Sequence, residues 1–229
     1  MTDFHRFPHT PHLAWLGKGV PREDKVLSRG DATTLFSQEL VVEEKIDGAN
    51  LGFSVDDDGV LLAQNRGSWL SPDACHPQFR SLWPWLAPRR DALIDALWPD
   101  LMLFGEWCAA VHSVEYDALP DWFLGFDVFD RSQGHFWSTR RRDALLNRLG
   151  LRVVPNLGRG RFDLGSLTEL MATSQVGSVP MEGVYVRTES ASWLQKRAKL
   201  VRPEFVQNIE AHWSSAPMRR NRLLLAAWV

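Results

Sequence analysis

The apolar positions of this chain fall into short runs separated by charged or glycine-containing turns. Val41 and Val42 lead an apolar, β-branched run into the charged stretch Glu43, Glu44, Lys45, Ile46, Asp47, Gly48, and residues 51–55 lead away. Alternating and fully apolar runs of this length are read as strands. A strand is predicted over residues 49–55. Asp56, Asp57, Asp58 and Gly59 then form a hairpin signal, and residues 60–64 return. Because a hairpin brings its first and last residues together, Asn65, Arg66 and Gly67 are carried back beside the Lys45 turn. Residues 101–104 form a buried strand that ends in Gly105, Glu106 and Trp107. Residues 122–130 form another, with Phe126 and Val128 on one face and Asp127 and Phe129 on the other. Residues 181–187 and 193–201 complete the strands.

Helical spacing is rarer. Residues 91–98 read as a short amphipathic helix, and residues 138–149 as a second, with Leu145, Leu146 and Leu149 as its apolar stripe and Gly150 as its stop. Ser166 followed by Glu169 is read as a capping box that opens a third. Pro203 suits the first turn of a helix through His212, and residues 218–228 are expected to form a terminal helix that runs from basic to apolar. Residues 71–90 carry Pro, Trp and Arg without clear period. Residues 4–21, dense in His and Pro, predict an extended, irregular segment. Its histidines, His5, His9 and His12, have no Cys or acidic partner at ligand spacing, so a loop is expected there rather than a metal site.

Composition narrows the class. The 229 residues, 45% hydrophobic with eleven Trp and twelve Phe, support one substantial core, and an α+β domain of largely antiparallel sheets with flanking helices is expected over residues 1–229. A net charge of −2 means that any nucleic-acid surface must be a local patch. Cys75 and Cys108 form neither a disulfide framework nor a metal spacing, residues 1–5 lack a signal-peptide profile, and no apolar run approaches membrane-spanning length. A cytoplasmic protein without a membrane partner is expected.

The candidate chemistry gathers at strand ends. A lysine at the mouth of a tight turn is held on a rigid edge, and burial or a neighbouring cation can expose its free amine as a nucleophile. Asp47 tolerates the backbone of such a turn, and Gly48 is expected to remove a Cβ where a ligand comes close. Arg66 is either a neighbour of Lys45 or a solvated strand end. Asp127, acidic within an apolar strand, needs a partner. In the last strand Arg197 and Lys199 share a face and repel each other unless an anion lies between them, while Lys196 lies on the other face. Arg140, Arg141 and Arg142 crowd a helix's first turn, where the dipole disfavours cations, and either face phosphates or solvent.

Taken in order, Lys45 with Asp47 and Gly48, Arg66 with Gly67, Gly105 with Glu106, Phe126 with Asp127, Glu182 with Gly183, and Arg197 with Lys199 resemble the covalent nucleotidyltransferase superfamily of ATP-dependent nucleic-acid ligases and capping enzymes. The run Glu44 to Asn50 is most similar to the phage-type RNA ligase 2 family, and the likeness covers about residues 40–205. The resemblance implies an ATP-dependent RNA ligase of nucleotidyltransferase fold. In such an enzyme Lys45 would take AMP from ATP with Mg²⁺ or Mn²⁺, pass it to an RNA 5′-phosphate, and seal that end to a 3′-hydroxyl. It further implies that Phe126 stacks on adenine with Glu44 near the base, that Glu106 takes the ribose hydroxyl, and that Glu182 serves the metal. Arg66 and the basic pair of the last strand would contact phosphates or the RNA end, and Asp47 and Asn50 would position the lysine turn. The neutral amine required of Lys45 is expected from nearby cations and the metal.

Two departures stand out. The family's last motif is Lys-x-Lys, and here residues 196–199 allow both Arg197 with Lys199 and an alignment on Lys196. About two dozen residues follow Pro203, too few for the oligonucleotide-binding barrel of DNA ligases and capping enzymes, so residues 203–229 are expected to be a helical extension. End recognition would then rest on Arg219, Arg220 and Arg222, on residues 140–142, or on a protein partner. The alternatives are a DNA nick-sealing ligase or guanylyltransferase of the same superfamily, or a non-catalytic nucleotide- or RNA-binding relative.

Overall fold

A computed structural model describes residues 4–18, 26–207 and 218–224. In chain order the elements are α1 (Arg29–Phe36), β1 (Leu40–Lys45), β2 (Ala49–Val55), β3 (Leu61–Gln64), α2 (Leu82–Leu86), α3 (Arg90–Leu97), β4 (Leu101–Trp107), β5 (Phe123–Asp130) and β6 (His135–Phe136). They continue as α4 (Thr139–Arg148), β7 (Arg152–Val153), β8 (Asn156–Gly160), α5 (Leu164–Leu170), β9 (Gly183–Glu189), β10 (Leu194–Val201) and α6 (Pro203–Gln207).

Two open sheets result. One runs β10-β9-β1-β8 and the other β3-β2-β4-β5-β6, with β7 beside β5. Every pairing between these strands is antiparallel except β5 with β7. The fold is thus α+β, as the sequence predicts. β1 belongs to the first sheet and β2 to the second, so the chain crosses between sheets within residues 46–48. Lys45 is the last residue of β1 before that crossing.

Burial follows the period-two rule. Along β4, Met102 and Phe104 enter a core that also holds Ile46, Leu124 and Phe126, while Leu103 and Trp107 enter a second core with Leu82, Leu93 and Leu97 of α2 and α3. A strand covered on both faces reads as a continuous apolar run, which is what residues 101–104 show. The first sheet packs Val42, Val184 and Leu200 against Leu35 of α1 and Leu167 of α5.

Several boundaries differ from expectation. α5 opens at Leu164, because Asp163 and Ser166 form the capping box: the Asp163 carboxylate accepts from Ser166 N at 2.8 Å and Ser166 Oγ accepts from Asp163 N at 2.9 Å. β5 carries a bulge. Gly105 pairs with Gly125 and Phe104 with Asp127, so Phe126 is the extra residue and does not share a face with Val128. Phe126 enters one core and Val128 the other.

Residues 218–224 are not helical. They lie extended, with bridges Ala110 to Arg220 and Leu119 to Leu223, because their backbone groups bond a loop rather than one another. The remainder of both expected C-terminal helices lies outside the described residues. Residues 4–18 are irregular, and they are anchored by Leu13 N donating to Lys199 O at 2.7 Å and Gln64 Nε2 donating to His5 O at 2.8 Å. No helix among the described residues is long and apolar enough to cross a membrane.

Candidate active site

Lys45 ends β1 opposite Gly183 of β9, and Glu182 lies just before that glycine. Lys45 Nζ donates to Glu182 Oε2 at 2.5 Å. A Cβ on residue 183 would stand 2.2 Å from the Leu200 carbonyl oxygen, so only glycine lets β9 approach β10 closely enough to carry Glu182 there. Gly48 has a comparable reason. A Cβ there would meet the Trp107 carbonyl oxygen at 2.9 Å, so the glycine lets the turn lie close against the end of β4.

Acidic groups dominate the surroundings of Lys45. Burial alone would favour a neutral Lys45, but Glu182, then Tyr185, Asp47 and Glu106, outweigh it and hold the pKa above the ordinary lysine range. The resting side chain is an ammonium. Burial pushes Glu106 up to about 8 against the pull of Lys45 and Arg66. Burial likewise raises Glu182, and Lys45 is the main charge that favours its ionised form.

Around this pair lie polar atoms shut off from solvent without a partner: Asn50 Oδ1 and Nδ2, Arg66 Nε and Glu106 Oε2. Asn50 on β2 pairs directly with Glu106 on β4. Arg66 acts electrostatically on both Glu106 and Tyr185, which places it with Lys45 rather than at a solvated strand end. Buried polar groups are normally satisfied, so orphans clustered at one place mark a missing polar partner. Asp47 serves the turn: its Oδ2 accepts from Ser113 N at 2.6 Å and Val114 N at 2.9 Å.

Beside Lys45 a narrow cleft runs between the sheets, lined by Phe126, Asp127, Tyr185, Glu43, Arg197 and Phe7. Its volume is about 10 Å³, room for one water. Phe7 meets Phe126 edge-on at 5.1 Å, and the Arg197 guanidinium lies 4.5 Å from the rings of both Phe7 and Phe136. The floor is a buried charge network. Asp127 pairs with Arg197 and, at 2.8 Å, with Arg187; Glu43 pairs with Arg142 at 2.6 Å and Arg187 at 3.4 Å; Glu189 takes Arg187 at 3.0 Å. Arg142 and Arg187 also donate to the Phe126 carbonyl at 2.6 and 3.1 Å, which fixes the bulge and its ring.

The structure turns Glu44 away from the cleft and separates the two alignments of residues 196–199. Glu44 alternates with Lys45 along β1, so its carboxylate turns to the other face, where it accepts from Ser174 Oγ at 2.6 Å and Gln175 N at 2.8 Å. Glu43, two residues before Lys45, takes its place on the cleft side. Lys196 pairs with Asp31 of α1 at 3.6 Å with half its side chain exposed, whereas Arg197 faces the cleft and Lys199 exerts its charge on Glu182. Strand parity thus selects Arg197 with Lys199. Arg142 is fully enclosed on Glu43, not open to phosphate or solvent. Tyr185 and Arg187 were not singled out from the sequence, and Arg142 only as part of a cluster facing phosphates or solvent. Parity could have found Tyr185, which pairs across β9 with both Glu43 and Lys199. No group of three or more His, Cys, Asp or Glu poised for a metal ion occurs among the described residues.

A sequence model of a family described as RNA ligase matches residues 38–201. A search of curated proteins finds no significant match. Among solved structures, a point variant of a Naegleria gruberi RNA ligase with AMP and Mn aligns with a TM-score of 0.64 at 16% identity, covering 90% of this chain and 58% of that one. Another variant of that ligase, with ATP and Mn, gives 0.62 at 16% identity over 90% and 64%. A third, without ligand, gives 0.57 at 20% identity over 77% and 54%. At these identities the likeness concerns the fold. The chain spans from 54% to 64% of the length of these relatives.

Proposed function

The chain belongs to the RNA ligase family, and from that premise we propose that it is an ATP-dependent RNA ligase working through an AMP adduct on Lys45. The observation that carries the reading is the Lys45–Glu182 pair at 2.5 Å, ringed by the orphaned atoms of Asn50, Arg66 and Glu106. Those atoms suit a nucleotide. Glu106 Oε2 accepts from a ribose hydroxyl, Arg66 Nε donates to a phosphate oxygen, and Asn50 can do either. Phe126 and Tyr185 flank the entrance to the base, and Arg197 with Lys199 supplies charge for the phosphates.

Glu182, beside Lys45, is the carboxylate that would hold a divalent cation, with Mg²⁺ or Mn²⁺ taking its remaining ligands from water and phosphate. When bound, such an ion would supply positive charge that neutralises the phosphates. This chain's part is to hold Lys45 Nζ at the cleft mouth and receive its proton, for which Glu182 is in direct contact. The neutral Nζ then attacks the α-phosphorus, a P–N bond forms, and pyrophosphate leaves. An RNA 5′-phosphate oxygen next attacks the adenylyl phosphorus and frees Lys45. A 3′-hydroxyl finally attacks the activated 5′ end and AMP departs. All three are in-line displacements in which positioning and cations supply most of the rate.

The test is intact mass after incubation with ATP and Mg²⁺. One added AMP is expected on the wild type and none on Lys45→Ala; a full adduct on Lys45→Ala refutes the assignment. Comparing ATP with GTP, then RNA with DNA nicks, separates RNA ligation from guanylyl transfer and DNA sealing.

A further inference from the structure

The turn that carries Lys45 is tied down by residues outside the set above. Asp47 N donates to Tyr116 Oη at 2.8 Å, and its carboxylate takes the backbone of Ser113 and Val114. All three partners belong to the irregular segment between β4 and β5. A buried segment without a ladder must satisfy its backbone groups some other way. Here residues 218–224 do so. Asn221, 3% exposed, accepts from Tyr116 N through Oδ1 at 2.8 Å and donates through Nδ2 to Cys108 O at 2.8 Å and Ala110 O at 3.1 Å. Backbone bonds flank it: Val111 N donates to Arg219 O at 2.9 Å, Arg222 N to Tyr116 O at 2.9 Å, and Leu119 N to Arg222 O at 3.1 Å.

Tyr116 is fully buried among apolar side chains, where a phenylalanine would pack as well. Its hydroxyl adds one thing, an acceptor for the backbone N–H two residues beyond Lys45. Asn221 likewise spends its amide on three backbone groups of that one segment. The route from residues 218–224 to Lys45 therefore runs through two side chains, hydrogen-bonded at every step.

We propose that Tyr116 and Asn221 are positioning residues for Lys45, and that residues 218–224 clasp the segment on which the lysine turn rests. The proposal rests on the reading of Lys45 as the nucleophile. Loss of the clasp lets residues 46–48 drift, and Lys45 Nζ spends less time aligned on the cleft.

Tyr116→Phe removes the acceptor and keeps the ring. Formation of the Lys45–AMP adduct is expected to slow about tenfold, with the ATP concentration for half-maximal rate unchanged and thermal unfolding near that of the wild type. Asn221→Ala should slow it in the same direction. The double variant should be no slower than the worse single, because both act along one path. A second readout needs no ATP. In ¹³C-lysine-labelled protein the Lys45 ε-carbon resonance should shift in both variants as contact with Glu182 loosens. If the wild type takes no AMP, the ligase reading fails by itself and the Lys45 resonance still decides the clasp. An unchanged Lys45 resonance in Tyr116→Phe overturns the proposal. So does a loss of rate accompanied by an equal loss of folded stability, or one expressed only as weaker ATP binding.

Discussion

Glu106→Gln should make this protein more stable and less active, and the two effects have one cause. Glu106 lies opposite Asn50 at the crossing of the sheets, with Oε2 enclosed and unpartnered. Burial lifts its pKa from 4.5 to about 8, against Lys45 and Arg66 and with help from Asp47 and Glu182. The sign follows from proton counting. Between 4.5 and about 8 the folded protein holds a proton that the unfolded chain has released, so stability falls as pH rises through that window. At about 1.4 kcal/mol per pH unit the whole interval would cost about 5 kcal/mol. The side chain is not completely enclosed, so we take roughly 2–4 kcal/mol. Glutamine resembles the protonated acid and avoids that cost. By thermal unfolding across pH, Glu106→Gln should match the wild type near about pH 5 and unfold on the order of 10 °C higher near about pH 8.5. Its adduct formation with ATP should fall most above about pH 8, where Glu106 is ionised and an amide is a weaker acceptor for a ribose hydroxyl than a carboxylate. Melting curves that stay parallel across pH, or a variant less stable than the wild type at alkaline pH, would refute the reasoning.

Arg187→Met keeps much of the volume but removes the cation shared by Asp127, Glu43 and Glu189. Each carboxylate retains one other arginine, so urea unfolding should show a loss near the lower end for a broken buried pair, about 3 kcal/mol, and a loss under about 1 kcal/mol would contradict the network. Lys196→Ala, at a pair whose side chains are 50% and 53% exposed, should cost less than about 0.5 kcal/mol and leave adduct formation intact. Arg197→Gln strips Asp127 of one partner and should slow adduct formation about 30-fold or more. Equal effects of the two substitutions would mean that the other alignment of residues 196–199 is correct.

Much of this site could be read from strand parity. Lys45, Glu106, Glu182 and the Arg197–Lys199 pair stand at strand ends or on alternating positions; the period of two assigns each a face, and the ordered resemblance, not parity, grouped them as one site. Parity failed where the backbone broke it. The bulge at Phe126 moved that ring off the face expected for it with Val128, and it arises from a mismatch of register with β4 that no local pattern records. Glu44 was placed in the cleft by resemblance, although alternation with Lys45 already assigned it to the opposite face. The triple arginine at residues 140–142 looked like a surface feature. Only the fold, by setting Glu43 of β1 against α4, made Arg142 an internal counter-ion.

The sequence by itself determined the strand-and-turn framework, the family, and the residue types that meet at Lys45, because these follow from periodicity and from the spacing of motifs along one strand at a time. The tertiary structure alone decided which acids surround Lys45: Glu182, Asp47 and Glu106 raise its pKa against the effect of burial. It also decided which segment steadies the turn. Both depend on groups far apart in the chain, Glu182 lying 137 residues from Lys45 and Asn221 lying 105 from Tyr116, and no local rule brings such groups together before the sheets have packed.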